Sequence, residues 1–246
     1  MKTEETVRLE VLVSDGCPHA GAALLLVRAV AERLGPGITV DRVDVDSPER
    51  AAARGFSDSP SIRVNGRDLE GRTTVDGRLC CRTHEGRSGI PPEWLVEAAV
   101  LRALSPRGLL FLCVANSARS QMAEGIARFL APPGVTVWSA GSQPTRVRPE
   151  AVAALAEIGI DISHHRAKDV SGIPAAAVDT VITLCGEEEC PVFLGRAHRL
   201  HWGLPDPAGV DGSETEKADA FRRVRDELRR RLAVVFAPDD TDSRRP

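Results

Sequence analysis

"LLFLCVANSARSQMAEG", residues 109–125, is the stretch on which the fold turns. Leu109–Leu112 is an apolar run that predicts a strand buried on both faces, and Cys113 ends it. Five residues separate Cys113 from Arg119. From Ser120 to Leu130 the spacing predicts a helix whose apolar face carries Met122, Ile126, Phe129 and Leu130. In an open parallel sheet, ligands bind beyond the carboxyl ends of the strands, which is where Cys113 stands. The run Val114, Ala115, Asn116, Ser117, Ala118, Arg119 and Ser120 can curl so that successive backbone N–H groups face inward. Such a nest at a helix N-terminus suits a tetrahedral oxyanion. Arg119 adds a planar fork for two of its oxygens, and the same positive environment favours thiolate at Cys113. The plainer alternative is a buried cysteine closing a core strand.

Downstream, strand and helix patterns alternate: "VTVWS", a helix over Pro149–Glu157, "TVITLC", "RLHW" and a long helix over Lys217–Phe236. The last helix places Phe221, Val224, Leu228, Leu232 and Val235 on one face. Alternation of this kind predicts a parallel sheet covered by helices. The final residues, 237–246, have nothing to bury and are expected to be a disordered tail.

Upstream, Pro106 and Gly108 punctuate "ALSPRG" and place a boundary there. The expected domains are 1–104 and 109–236, joined by a linker at 105–108. The first half predicts strand "RLEVLVS", a helix over Pro18–Leu34, strand "ITVDRVDV" and a short helix in "SPERAAARGF". Then come strand "SIRV", an Asn65-Gly66 hairpin turn, a second short strand and a helix over Pro92–Leu104. Overall the fold class is α/β, in two domains.

The net charge is −3, and the arginine-rich stretch Arg222–Arg231 is interleaved with Asp226, Glu227 and Leu228. This reads as a solvated helix face, not a nucleic-acid groove, so no nucleic-acid partner is expected. No apolar run approaches the ~20 residues a bilayer requires, so no membrane partner is expected. The N-terminus lacks a signal-peptide core, and a cytoplasmic location is expected. Six cysteines, Cys17, Cys80, Cys81, Cys113, Cys185 and Cys190, are then expected free or transiently bonded. Their spacing fits no zinc site, and neither a metal centre nor a cofactor is called for.

Two resemblances follow. Residues 7–104 resemble a thioredoxin-like domain, with Cys17 after the first strand and Ser59-Pro60 where that family keeps a cis-proline. The redox motif, however, reads "CPHA", with Ala20 in place of the second thiol. Residues 109–233 resemble the low-molecular-weight protein tyrosine phosphatase family, and within it the thioredoxin-coupled arsenate reductases. "NSARSQMAEG", "SAGSQP", "DIS", "VITLCGEEECP" and "HWGLPDPAG" carry the likeness. It implies that Cys113 is the nucleophile, that Arg119 and Ser120 bind the oxyanion and that Asp206 is the general acid. It also implies a relay in which Cys185 and Cys190 take part in disulfide exchange with Cys113, re-reduced by a thioredoxin- or glutaredoxin-type partner. Arsenate is then the substrate, reduced to arsenite in arsenic detoxification.

A phosphatase shares the first step and needs only water for the second, so a phosphotyrosine or phosphate-ester hydrolase is the alternative. The chain has no tyrosine and few aromatics, and "PAGVDG" follows Asp206, which suits a small inorganic anion. Ala118 replaces a second loop cysteine of some relatives. Glu187, Glu188 and Glu189 lie between the two relay thiols and oppose thiolate formation nearby. Some relatives bind potassium beneath the loop. Asn116, Glu124 and Ser139 stand at matching positions, with Lys168 in place of an acidic ligand. Lys168 is either a cation substitute or an exposed lysine. In the first half, Cys17 with Cys80 or Cys81 forms a tethered dithiol, the three hold arsenite or another soft ion, or the domain only docks. His19, His164 and His165 are expected at the surface or in loops.

Overall fold

A computed structural model of the 246-residue chain describes residues 6–56, 58–72, 80–84, 87–186, 193 and 195–238. The chain divides into two compact units, Met1–Ser105 and Pro106–Pro246.

The first unit runs β1 (Val7–Ser14), α1 (Ala20–Leu34), β2 (Ile38–Val45), α2 (Pro48–Arg54), β3 (Asp58–Ser59), β4 (Ser61–Val64) and β5 (Arg67–Asp68). It continues with β6 (Cys80–Cys81), β7 (Thr83–His84), β8 (Arg87–Ser88) and α3 (Glu93–Leu104). Its main sheet has the order β2-β1-β4-β5, with β1 parallel to β2 and antiparallel to β4. Asn65 and Gly66 turn the β4–β5 hairpin with φ of 50° and 81°. Both values are positive, as a two-residue turn matched to strand twist requires. The Ser59-Pro60 peptide is cis. α1 starts at Ala20, two residues after the expected Pro18. Beside β3, Arg82 is buried and donates to Asp58, Asp68 and Glu70.

The second unit runs β9 (Gly108–Cys113), α4 (Arg119–Leu130), β10 (Thr136–Gly141), α5 (Pro149–Ala156), β11 (Thr180–Thr183), β12 (His198–His201) and α6 (Glu214–Val235). Gly108, expected in the linker, is thus the first residue of β9. Its sheet has the order β10-β9-β11-β12 and every pairing is parallel. β9 is central and buried throughout because its side chains meet protein on both faces of the sheet. On one face Leu110 and Leu112 join Ala140, Ile173, Val178, Val181 and Phe193 in one apolar cluster.

Three expectations need correction. β11 ends at Thr183, so Leu184 and Cys185 lie beyond the strand. α6 starts at Glu214, not Lys217. Ser213 accepts from the Glu216 amide while the Glu216 carboxylate accepts from the Ser213 amide, a capping box that adds three residues in front. In α4, Met122 and Ile126 are buried, but Phe129 is 66% exposed and Leu130 only half-buried. Every residue from Arg119 to Ala127 is buried, and the last turn then runs past its packing partners. Helical periodicity selects a face, not the point where the neighbouring layer ends.

All five residues expected on the buried face of α6 are buried. Replacing fully buried Leu228 by alanine is expected to cost about 2–5 kcal/mol. Phe129→Ala is expected to change stability by no more than about 0.5 kcal/mol. Urea denaturation of the two variants checks the contrast.

Candidate functional site

Cys113 is the last residue of β9 and is buried. The chain then crosses directly over the end of β10. A Cβ at Gly141 would lie 2.3 Å from the Val114 carbonyl oxygen, 2.8 Å from the Asn116 nitrogen and 2.9 Å from the Cys113 carbonyl oxygen. Only glycine permits that approach. Just past Gly141, the amides of Gln143, Thr145 and Arg148 donate to the carbonyls of Val114, Ala115 and Ser117 at 3.0, 3.1 and 2.9 Å. A peptide unit is planar, with N–H opposed to C=O. Anchoring those carbonyls on the outside turns the amides of Ala115, Asn116 and Ala118 to the opposite side. The result is a curl of donors above the N-terminus of α4, suited to a tetrahedral anion.

A second set of bonds fixes the curl from beneath. Asn116 is buried with φ of 44°, in the left-handed region that asparagine tolerates better than most residues. Its Nδ2 donates to Ser120 Oγ at 2.8 Å and to Ser139 Oγ at 2.9 Å. The Ser139 hydroxyl donates to Glu124, whose carboxylate also pairs with Lys168 Nζ at 3.0 Å and Arg128 at 2.6 Å. Asn116 Oδ1 accepts from the Lys168 amide at 2.8 Å and from Gln121 Nε2 at 2.9 Å. Ser120 Oγ, which accepts from Asn116, also lies 2.9 Å from Cys113 Sγ, and a thiol and a hydroxyl can each donate across that contact. When Cys113 is a thiolate it has no proton to give, and Ser120 is the donor. An O–H donated to a thiolate stabilises the charged form.

Arg119 is buried at the first turn of α4. Its Nη1 donates to the Leu204 carbonyl at 3.0 Å and to the Leu184 carbonyl at 3.4 Å. Asp206 is half-exposed, with Oδ1 3.7 Å from Arg119 Nη2. Its carboxylate also accepts from the Ala208 amide at 3.3 Å, which caps a short turn over Pro207–Gly209.

The sequence pattern of the low molecular weight phosphotyrosine protein phosphatase family matches residues 108–241. The chain belongs to that family. Among curated relatives, the arsenate reductase of Halalkalibacterium halodurans is 41% identical over 131 residues, 52% of this chain and 94% of its own length. The arsenate reductase of Bacillus subtilis is 43% identical over 126 residues, 50% of this chain and 91% of its own. A solved structure described as an arsenate reductase in the phosphate binding state is 35% identical, covering 53% of this chain and 97% of that one, with a TM-score of 0.46.

Within this phosphatase-family unit, Cys113, the loop from Val114 to Ser120, and Asp206 lie around one centre, with Cys185 buried next to Leu184. Cys190 lies outside the described residues, as do Glu187, Glu188 and Glu189 and residues 239–246 of the tail. Cys17 is partly exposed in the first unit. Cys80 and Cys81 pair with Asp58 and Ser59 along β6 and β3, and their side chains lie outside the described residues. Among the described residues no cluster of three or more His, Cys, Asp or Glu side chains is arranged to hold a metal ion. Among the same residues, no helix is long and apolar enough to cross a membrane. Lys168 is partly exposed, and its Nζ pairs with Glu124.

Three contributors escaped the sequence. Gly141 matters only through its register with Cys113. Gln121 is buried and bonds Asn116 and the Arg166 carbonyl. His165, expected as a plain loop residue, has Nδ1 2.9 Å from Gln121 Oε1, so that nitrogen carries the proton. Burial is the main influence holding His165 below its ordinary value; Glu124 opposes it, while Arg128, His164 and Lys168 reinforce it.

Two outcomes follow from these bonds. Ser120→Ala removes the donor to sulfur, and a hydrogen bond to a charged group contributes about 1.5–3 kcal/mol. Alkylation of Cys113 by iodoacetamide at neutral pH should therefore slow by roughly tenfold or more. For His165 the sign is set by its lowered value: the unfolded chain takes up a proton near about pH 6.5 and the folded chain only below that. Its contribution to stability is complete above about pH 6.5 and is lost as pH falls through the folded value. His165→Gln should flatten the decline of the urea midpoint between about pH 7.5 and 5.5 relative to the parent chain.

Proposed function

We propose that this chain reduces arsenate to arsenite with Cys113 as nucleophile and Cys185 and Cys190 as relay thiols. The observation that supports it most is that Cys113 ends β9 and Cys185 follows two residues after the end of the neighbouring β11. β11 pairs with β9 so that Thr183 is in register with Leu112, and the Leu184 amide donates to the Leu112 carbonyl at 2.8 Å. Cys185 thus follows one residue beyond the level of Cys113. Past Thr183 the chain has left β11, so Cys185 lies near Cys113 at the same edge of the sheet without being held to strand alternation. Identity of 41–43% with curated arsenate reductases, over more than nine-tenths of their length, supports the same substrate.

In the first step the Cys113 thiolate attacks arsenic, and Asp206 protonates the departing oxygen, which leaves as water. The amide curl and Arg119 hold the remaining oxygens. Cys185, as thiolate, then attacks Cys113 sulfur. The S–As bond breaks, its electron pair stays on arsenic, and arsenite departs as a Cys113–Cys185 disulfide forms. Cys190 attacks Cys185 and frees Cys113. A thioredoxin- or glutaredoxin-type dithiol reduces the Cys185–Cys190 disulfide.

The first unit is proposed as a thioredoxin-like domain. Its β2-β1-β4-β5 order, the parallel β1–β2 pair, the antiparallel β4–β5 hairpin and Cys17 after β1 support this. Of its three possible uses, tethered dithiol, soft-ion binding and docking, the first and second require Cys17 together with Cys80 or Cys81.

Family membership favours one other reading, phosphate-ester hydrolysis, which begins with the same thiolate. The variants separate the two. Cys113→Ser should abolish arsenate reduction and p-nitrophenyl phosphate hydrolysis together. Cys185→Ser should stop arsenate reduction and spare hydrolysis. Cys190→Ser should complete one turnover and stall as Cys113–Cys185, seen by mass spectrometry of the intact chain. Repeated turnover at the parent rate in both relay variants would leave the hydrolase reading standing.

A further inference from the structure

We propose that Arg119, besides receiving an oxyanion, is the positioning residue that fastens both the Cys185 segment and the Asp206 segment to the Cys113 loop. This rests on the roles just given to Cys113, Cys185 and Asp206. The guanidinium reaches one carbonyl on each segment. Leu184 immediately precedes Cys185, and Leu204 stands two residues before Asp206; both accept from Nη1. The two segments are also bonded to each other, the Leu204 amide donating to the Leu184 carbonyl at 3.2 Å.

The knot is tight. A Cβ at Gly186 would stand 3.1 Å from the Leu204 carbonyl oxygen, and one at Gly203 3.2 Å from the Cys185 carbonyl oxygen. Arg119 is 4% exposed, so its N–H groups must be satisfied by protein or by a bound anion. Its five donors lie in one rigid plane, unlike the rotating donors of lysine. Once Nη1 takes the two carbonyls, the plane of the guanidinium is set, and with it the face presented to an anion. Nη2 is directed towards Asp206 Oδ1 at 3.7 Å, too long for a hydrogen bond and close enough to hold the carboxylate electrostatically.

The consequence is mechanistic. Proton donation by Asp206 and sulfur attack by Cys185 each require near-attack geometry, with reacting atoms about 3–3.5 Å apart. One side chain anchors the backbone of both. Arg119 makes and breaks no bond in doing so; it acts through Leu184 and Leu204. Loosening it should free both segments together, whereas a group that only bound the anion would leave them in place.

The test uses the full chain. Arg119→Lys and Arg119→Ala are compared with the parent by hydrogen-exchange mass spectrometry and by inorganic phosphate binding. Iodoacetamide alkylation of Cys185 is measured in a Cys113→Ser background. Exchange at 184–186 and 204–209 should rise together, with β9 and α6 still protected. Cys185 should be alkylated about tenfold faster or more, the change expected for losing one hydrogen bond to a charged group. Lost phosphate binding with exchange and alkylation unchanged would mean that Arg119 only binds the anion, and the proposal falls. It falls equally if only one segment loosens. Should the variants unfold, the parent chain decides by nitrogen NMR. Rotation about the Arg119 Cζ–Nη1 bond should be hindered, and a freely rotating group overturns the proposal. Failure of the relay reads differently, as arsenate turnover by Cys185→Ser with the exchange pattern intact.

Discussion

The site depends on the close approach of the 114–116 peptides to Gly141. With β10 in register against β9, Gly141 falls opposite Cys113, and the loop has nowhere to pass except across that Cα. A methyl group there would overlap the Val114 carbonyl. The same crossing brings the 143–148 segment alongside the loop, where three amides take three carbonyls. A run of residues with no regular secondary structure thereby acquires one orientation. Anion affinity is then a property of the backbone, and the side chains of Val114, Ala115 and Ala118 need contribute nothing beyond fitting.

The buried polar layer beneath the loop solves a different problem. Asn116, Ser120, Gln121, Glu124 and Ser139 are all essentially inaccessible to water, and a buried carboxylate without partners would be costly. Glu124 is balanced by Lys168 and Arg128, both reaching in from the surface. This follows the usual account of buried charge: the ion pairs compensate desolvation more than they add stability, and what they secure is geometry. Here the geometry is the placing of the Asn116 amide against the Ser120 hydroxyl, and of that hydroxyl against sulfur. The first unit shows the same physics at Arg82, a buried guanidinium fixed by Asp58, Asp68 and Glu70, with His84 against Glu70.

Local chemistry was legible in the sequence, and long-range register was not. Cys113, Arg119 and Ser120 could be placed because an apolar run, a fixed spacing and a helix onset sit within one stretch. Ile38–Val45 and the Asn65-Gly66 hairpin were legible for the same reason. Gly141 could not be singled out, since its role arises only when β10 lies beside β9. Phe129 misled because an apolar residue at helical spacing is buried only where a partner layer extends that far. Arg225 misled in the opposite sense: it sits in a stretch that looks solvated, yet it is buried and donates to Glu157 and the Ala154 carbonyl. Arginine in an acidic and basic repeat carries no local mark of the helix that will cover it.

The two chemistries open to this family differ in how much of the molecule must converge on one sulfur. Hydrolysis asks for an anion cradle and an acid, the roles proposed for the Cys113 loop and Asp206. Reduction adds a second thiol that must first stay clear of Cys113 and then reach it. In the proposed relay, the place of Cys185 past the end of β11, not within it, serves both needs. β11 ends at Thr183, and beyond it Leu184 is bonded to Leu112, Leu204 and Arg119. Local opening is easiest where backbone bonds are few. Gly186 and Gly203 face one another's segments across that break, where any side chain would crowd the opposite backbone. Under the proposed relay, reduction draws on the short strand and hydrolysis does not.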